Sequence, residues 1–154
     1  MKVLILSDSH GMTSRLEEIL EKEKNADIIL HLGDGGKDLM YMNGHTSGKI
    51  VYQIKGNCDS DLYGFPPKLI SFIGDIKFIA CHGHEYQVKN GLTTLFYAAK
   101  QHECQIAFYG HTHTAFHEKE DGIEFFNPGS VRDGKYGIME ASSGKFSLSL
   151  KHLD

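Results

Sequence analysis

The chain of 154 residues is short of cysteine, of basic charge and of long hydrophobic runs, and each shortage excludes something. Three cysteines, Cys58, Cys81 and Cys104, are too few and too scattered for a disulfide framework, and an odd count without a leader points to a reducing, cytoplasmic setting. No CxxC pair occurs, which disfavours a thiolate zinc site. Lys and Arg number 16 against 20 Asp and Glu, for a net charge of -4, so the basic footprint of a dedicated nucleic-acid binder is missing. After Met1-Lys2 only four apolar residues follow in a row, Val3–Leu6, and no run approaches bilayer length. Neither a signal sequence nor membrane association is expected.

What remains is ordinary globular composition, 40% hydrophobic and 23% charged. The length predicts one domain over residues 1–154, able to bury roughly 70% of its unfolded surface without staples. Glycine is enriched, with 17 residues against a usual share of ~7%. There are also 10 histidines, and their placement matters more than their number.

Val3–Leu6 is a continuous apolar run, the mark of a strand buried on both faces. Ser14 and Glu17 have capping-box spacing, with Leu16, Ile19 and Leu20 at helical intervals behind them, which predicts a helix over 14–24. Buried strands are expected at 27–32 and 49–54, and strand, helix, strand in this order argues for parallel pairing. A short helix at 37–42, a hairpin of 69–73 with 76–81 across Gly74-Asp75, a helix over 92–102 and a strand at 105–109 follow. Short strands at 114–119, 123–126, 137–141 and 146–150, separated by Asp121-Gly122 and Ser143-Gly144, read as an antiparallel meander. The fold class is therefore α/β, with a mixed pair of sheets flanked by helices. The apolar C-terminal strands offer an edge through which a homo-oligomer would pair.

The chemistry lies at the strand ends. Asp8-Ser9-His10 follows the first strand, Gly33-Asp34 the second and Gly56-Asn57 the third. His82-Gly83-His84 follows the strand ending at Cys81, and Gly110-His111-Thr112-His113 follows the one ending at Tyr109. Ligands of open α/β sheets bind at the carboxyl ends of strands. Carboxylate, amide and imidazole donors suit Mn, Fe, Zn, Co or Ni. Asp8 and His10, like His111 and His113, are two residues apart, which in extended chain puts both side chains on one side. Seven donors are too many for one tetrahedral ion and fit two ions if one carboxylate bridges. Two divalent ions, set against Asp8, Asp34 and a bridging hydroxide, leave the centre net positive within an acidic protein, a trap for a phosphate ester.

Taken in order, Asp8-x-His10, Gly33-Asp34, Gly56-Asn57, His82-Gly83-His84 and Gly110-His111-x-His113 resemble the motif set of the calcineurin-like metallophosphoesterases. Asn127-Pro128-Gly129-Ser130 is similar to the segment that follows in the small bacterial and archaeal phosphodiesterase subfamily. The resemblance spans essentially the whole chain and implies a four-layer α/β/β/α sandwich. It implies that Asp8, His10 and His113 hold one metal, that Asn57, His82 and His111 hold the second, and that Asp34 bridges. Two divalent ions are implied, Mn²⁺ favoured for oxygen and imidazole donors, with Zn²⁺, Fe²⁺, Ni²⁺ and Co²⁺ as alternatives. The implied reaction is hydrolysis of a small phosphodiester by a metal-bridging hydroxide.

One position departs from the pattern. Many members carry a His after the Asn, where it protonates the leaving group or binds phosphate; here it is Cys58. A thiol is a poor acid near neutral pH, so turnover is expected to be modest and biased to good leaving groups, with His84 as a substitute donor. The cysteine form also occurs in the small phosphodiesterase subfamily. His31 reads as packing or support for a ligand rather than a ligand, and Asp59 as orienting a neighbour or capping a loop. Ser130 and Arg132 are candidates to line the pocket. Cys81 and Cys104 read as small core residues. Two rival functions share these residues: an interaction scaffold with weak or no catalysis, as in the eukaryotic retromer subunit of this fold, and a phosphomonoesterase.

Overall fold

The computed structural model describes residues 1–154. Ten strands form two five-stranded sheets. The first has the order β10-β9-β1-β2-β3, built from β1 (Lys2–Leu6), β2 (Ile28–His31), β3 (Ile50–Gln53), β9 (Lys135–Ser142) and β10 (Lys145–His152). The second has the order β4-β5-β6-β8-β7, built from β4 (Lys68–Ile73), β5 (Ile76–Cys81), β6 (Ile106–Phe108), β7 (Phe116–Glu120) and β8 (Ile123–Asn127). Both are mixed. β1, β2 and β3 run parallel, as do β5, β6 and β8, while β9, β10, β4 and β7 pair antiparallel.

The uninterrupted apolar strands are explained by what lies on each side. Val3 and Ile5 of β1 point into the space between the sheets, where they meet Phe78, Phe108 and Phe126. Leu4 and Leu6, on the other face, pack under Leu16, Ile19 and Leu20 of helix α1 (Thr13–Lys22). In the second sheet Ile79, Cys81 and Ala107 face Leu95 and Ala99 of helix α3 (Thr93–Gln101). A strand covered on both faces needs apolar side chains on both. The result is the expected four layers: helix, sheet, sheet, helix. A four-residue helix, α2 (Asn43–Thr46), and a 3-10 turn at Gly36–Tyr41 fill the connection between β2 and β3. No helix is long and apolar enough to cross a membrane.

Two expectations are corrected. The capping box does not form: α1 begins at Thr13 with Met12 at its N-cap, and no side chain caps it. The amides of Met12 and Thr13 bond instead to the carbonyls of Ser9 and Gly11, so the turn leaving Asp8-Ser9-His10 runs straight into the helix and Ser14 falls inside it. The C-terminal strands are not one meander. β7 and β8 form a hairpin in the second sheet, and the chain then crosses through Pro128–Ser130 so that β9 pairs with β1 of the first. Local alternation marks a strand but not its partner, and both arrangements satisfy the same pattern.

Candidate metal centre

Because β1, β2, β3, β5, β6 and β8 all run the same way within their sheets, their carboxyl ends meet along one rim. Backbone geometry there is unusual. Asp8, His10, Asp34, His111 and His113 all have positive φ, between 45° and 68°. Non-glycine residues avoid this region, and a cluster of them is the kind of strain that surrounding structure must hold in place.

That hold is visible. The Asp34 and Gly35 amides donate to the two oxygens of Asp59 at 2.9 and 3.0 Å, and the Gly56 amide donates to Asp59 at 2.8 Å, so one carboxylate ties the ends of β2 and β3 together. The Ser130 hydroxyl donates to the Asp8 carbonyl at 2.8 Å, and the Val131 amide donates to the Ser7 carbonyl. His31 is fully buried; its Nδ1 accepts from the Gly33 amide, its Nε2 lies 3.0 Å from the Ser9 hydroxyl, and that hydroxyl donates to Asp38. Burial pushes the His31 imidazole below its ordinary value, consistent with this neutral, bonded role. Asn127 donates to the Gly110 carbonyl and the Thr112 hydroxyl, which shapes the loop carrying His111 and His113.

The glycines at the rim are explained by crowding. A Cβ on Gly56 would overlap the carboxylate and amide of Asp34, and one on Gly110 would overlap the Ser7 hydroxyl and approach Asp8 Oδ2 to 2.9 Å.

Within this frame the donors converge. Asp8 is fully buried. Its Oδ2 accepts from the Ser7 hydroxyl at 2.5 Å and the His111 amide at 3.1 Å, while its Oδ1 is buried with no hydrogen-bond partner. Around that orphan oxygen lie His113 Nε2 at 3.1 Å, His10 Nε2 at 3.4 Å and His82 Nε2 at 3.8 Å. The two nitrogens of His10 and His113 are themselves 3.3 Å apart. Asp34 Oδ1 accepts from the Cys58 amide at 2.7 Å, and its Oδ2 lies 3.2 Å from His82 Nε2 and 3.8 Å from His10 Nε2. Asp34 is thus shared between the two groups. His82 Nδ1 lies 2.8 Å from the Leu32 carbonyl and donates to it, which leaves Nε2 to present its lone pair, 3.2 Å from His111 Nδ1.

Two of the donor groups this geometry forms, Asp8–His10–His113 and Asp34–His82–His111, each bring three ligand atoms within 4.8 Å of one another. A buried carboxylate oxygen left without a hydrogen-bond donor is costly unless a cation satisfies it, and the imidazole nitrogens and carboxylate oxygens around it suit a divalent transition metal. The residues present therefore fit divalent metal ions.

The titratable groups respond to this crowding. Burial would raise Asp34, but the His82 contact and the Cys58 amide outweigh it and hold the carboxylate well below its ordinary range. Burial opposes charge on His82, and the two aspartates more than offset it, raising His82. Burial and then neighbouring His82 lower both His84 and His111. Partial burial and the Asp34 carboxylate push the Cys58 thiol up, so it is protonated at neutral pH.

The other expected site residues differ in how near they come to the converging atoms. Asn57 is exposed, its amide donating to Cys58 Sγ at 3.5 Å and making no hydrogen bond to His82 or His111. Cys58 lies beside Asp34 and His10, its sulfur within 4.8 Å of their ligand atoms. The His84 ring flanks the group, 5.6 Å from the His82 ring and 6.1 Å from the His111 ring, with Nδ1 buried and unpartnered. Ser130 does not line the cavity; it is buried beneath the site on the Asp8 carbonyl. Arg132 is exposed, forms no ion pair and does not line the cavity either. A cavity of about 330 Å³ opens beside the donor groups, lined by His10, Asp34, Cys58, Asp59, Lys37 and Tyr63 among others. The sequence reading missed Ser7, Asp38, Lys37 and Tyr63. Lys37 and Asp38 directly follow the Gly-rich turn after Asp34, a position that could have marked them.

A calcineurin-like phosphoesterase superfamily domain matches residues 1–143. The chain belongs to the calcineurin-like phosphoesterase superfamily. It is a hydrolase acting on phosphoester bonds. It is 33% identical to a probable metallophosphoesterase, YsnB, of Bacillus subtilis, over 86% of this chain and 76% of that protein. It is 30% identical to the phosphodiesterase YfcE of Escherichia coli, over 89% of this chain and 83% of that one. Among solved structures, a predicted phosphoesterase from Streptococcus pneumoniae is similar with a TM-score of 0.80 and 28% identity, over 98% of this chain and 88% of that one.

Proposed function

We propose that this hydrolase is a two-metal phosphodiesterase of small substrates. The carrying observation is the buried, unpartnered Oδ1 of Asp8, with His10, His82 and His113 nitrogens within 3.8 Å of it. Asp8, His10 and His113 would hold one ion and His82, His111 and Asn57 the other, with Asp34 between them. Mn²⁺ is the favoured occupant on donor type. Divalent ions bound there would supply Lewis-acid polarisation of the phosphoryl group and a water-derived nucleophile at neutral pH.

The chain's own residues set the rest of the reaction. His82, pinned by Leu32, and Asp8, pinned by Ser7 and the His111 amide, keep their donor atoms aimed inward without rearrangement. His82 and the Cys58 amide outweigh burial and hold Asp34 in its carboxylate form, the form in which it would bind a divalent cation. The Cys58 thiol, pushed up by burial and Asp34, is a weak acid for a departing alkoxide, and His84, pushed down by burial and His82, is mainly unprotonated at neutral pH and has little proton to give. That favours esters whose leaving group departs without a strong acid, such as activated diesters.

The test is hydrolysis of bis(4-nitrophenyl) phosphate against 4-nitrophenyl phosphate, with chelator-stripped protein given Mn²⁺, Ni²⁺, Zn²⁺ or Mg²⁺ separately. Diester turnover restored by one ion, at two ions per chain, is the expected result. Preferential monoester turnover would move the assignment to a phosphomonoesterase. No turnover despite two bound ions would move it to an interaction scaffold.

A further inference from the structure

The cavity beside the donor groups holds two side chains that the metal reading leaves unused. Lys37 is the one lysine or arginine lining it. It is exposed and makes no ion pair or hydrogen bond, although Asp34 and Asp59 line the same cavity. Asp59 is not available to it as a strong partner, because its carboxylate already accepts from three backbone amides. Tyr63 lines the cavity with 38% of its surface exposed.

Both are mounted rather than loose. Lys37 sits on the 3-10 turn Gly36–Tyr41 that leaves Asp34. Gly36, its neighbour, lies against the Phe65 ring so closely that a Cβ there would come within 2.5 Å of Phe65 Cε2. The Phe65 ring in turn stacks on Tyr63, with centroids 5.7 Å apart and planes at 21°. The loop carrying Tyr63 is anchored by the Lys55–Asp61 pair and by Ser60, whose hydroxyl accepts from the Leu62 amide at 3.2 Å. Phe65 therefore couples the lysine's turn to the tyrosine's loop across the mouth of the site. An unpaired ammonium beside a supported, half-exposed aromatic ring suits an anion that carries a flat arm.

We infer that Lys37 and Tyr63 determine substrate choice, with Lys37 pairing to a phosphoryl oxygen and Tyr63 stacking on an aryl or nucleobase arm of a phosphodiester. The inference rests on the phosphodiesterase reading for the word diester, and on the cavity alone for the binding of an aryl phosphoryl group.

The test uses phenylphosphonate and methylphosphonate, which are not phosphoesters, as probes on metal-loaded full-length protein. Their dissociation constants are measured by calorimetry, with metal content measured for every variant. Wild type should bind phenylphosphonate about tenfold more tightly than methylphosphonate, the scale of one stacking contact. Tyr63→Ala should erase that preference, while Tyr63→Phe keeps it. Lys37→Met should weaken both probes about tenfold without lowering metal content, and Lys37→Arg should restore most of the loss. The inference is overturned if wild type shows no preference, if Tyr63→Ala retains it, or if Lys37→Met binds both probes as wild type does. A folding failure of Tyr63→Ala would be bypassed with Tyr63→Leu, which should also lose the preference. Aryl preference in a protein that cleaves no diester would defeat the phosphodiesterase reading alone. Diester cleavage without aryl preference would defeat this one alone.

Discussion

The two rims of the sandwich use the same uncommon backbone for different ends. At the rim where β5, β8 and β10 begin, Asp121-Gly122 and Ser143-Gly144 place two successive residues at positive φ, and Gly74 opens the turn before β5. These are hairpin turns whose twist matches the strands they join. At the opposite rim Asp8, His10, Asp34, His111 and His113 hold positive φ with no hairpin to require it. The glycines differ in the same way. A side chain added at Gly74, Gly122 or Gly144 would meet nothing within 4 Å, whereas one at Gly56 or Gly110 would strike the site carboxylates or their supports. One rim is shaped by chain reversal, the other by the need to crowd donor atoms together. Strain at the first is relieved locally; strain at the second is held by Asp59, Ser130 and His31 and is useful only if something binds there.

The largest expected effect follows directly. Asp8→Ala or His111→Ala should cut metal-dependent hydrolysis by about 10³-fold or more, since Lewis-acid stabilisation is worth several kcal/mol of barrier. The same variants should lose the rise in Tm on adding Mn²⁺ to stripped protein, which for wild type at 100-fold excess over Kd corresponds to about 2.7 kcal/mol. Asp121→Gly, at the other rim, should change neither readout. Equal loss of activity from both rims would erase the distinction.

Gly56→Ala against Gly144→Ala sharpens it. The first forces a methyl into Asp34 and should cost about 1–3 kcal/mol with loss of metal affinity. The second has room and pays only for the left-handed backbone, about 1–2 kcal/mol, with metal affinity and turnover retained. Thermal denaturation alongside metal titration separates them: the stability costs overlap, and only the first should move the metal curve.

Much of this rim was legible in the sequence, because short apolar runs followed by Asp, His or Gly-Asp mark strand ends, and strand ends are where a parallel sheet presents ligands. The four layers were legible because strands like Val3–Leu6 have no polar face to give to water. The capping box was not, because Ser14 and Glu17 have the right spacing while the turn from Ser9 and Gly11 supplies the amide acceptors first. The split of the last four strands was not, because pairing is decided by the crossing at Pro128–Ser130, whose hydroxyl hooks onto Asp8 far away in the chain. Lys37 and Tyr63 share no motif and meet only through Phe65.

Cys58→His probes the rim on a smaller scale. An imidazole in place of a thiol that burial and Asp34 hold protonated offers a better proton donor to the leaving group. Turnover of diesters with poor leaving groups should rise about a hundredfold, at the low end of general acid catalysis, while bis(4-nitrophenyl) phosphate should change less. An equal change for both leaving groups would show that position 58 acts through metal or phosphate binding instead.

The smallest effect lies far from the metal donors, under the C-terminal end of α1. Tyr136 is buried, and its hydroxyl donates to Glu23 Oε1 at 2.8 Å, while Lys2 Nζ lies 2.8 Å from Glu23 Oε2. Burial would raise Glu23, but the Lys2 and Tyr136 contacts outweigh it and lower the carboxyl from its ordinary 4.5. A carboxyl lowered on folding contributes stability that is present above its unfolded value and lost as pH falls through the folded one. Tyr136→Phe removes one of the two holds and should cost about 1–2 kcal/mol at pH 7. Its Tm deficit should shrink as pH drops below the ordinary carboxyl value, where Glu23 takes up its proton in both proteins. Hydrolysis at pH 7 should be unaffected. A deficit that stayed constant down to pH 3 would assign the cost to packing around the ring rather than to the Glu23 charge.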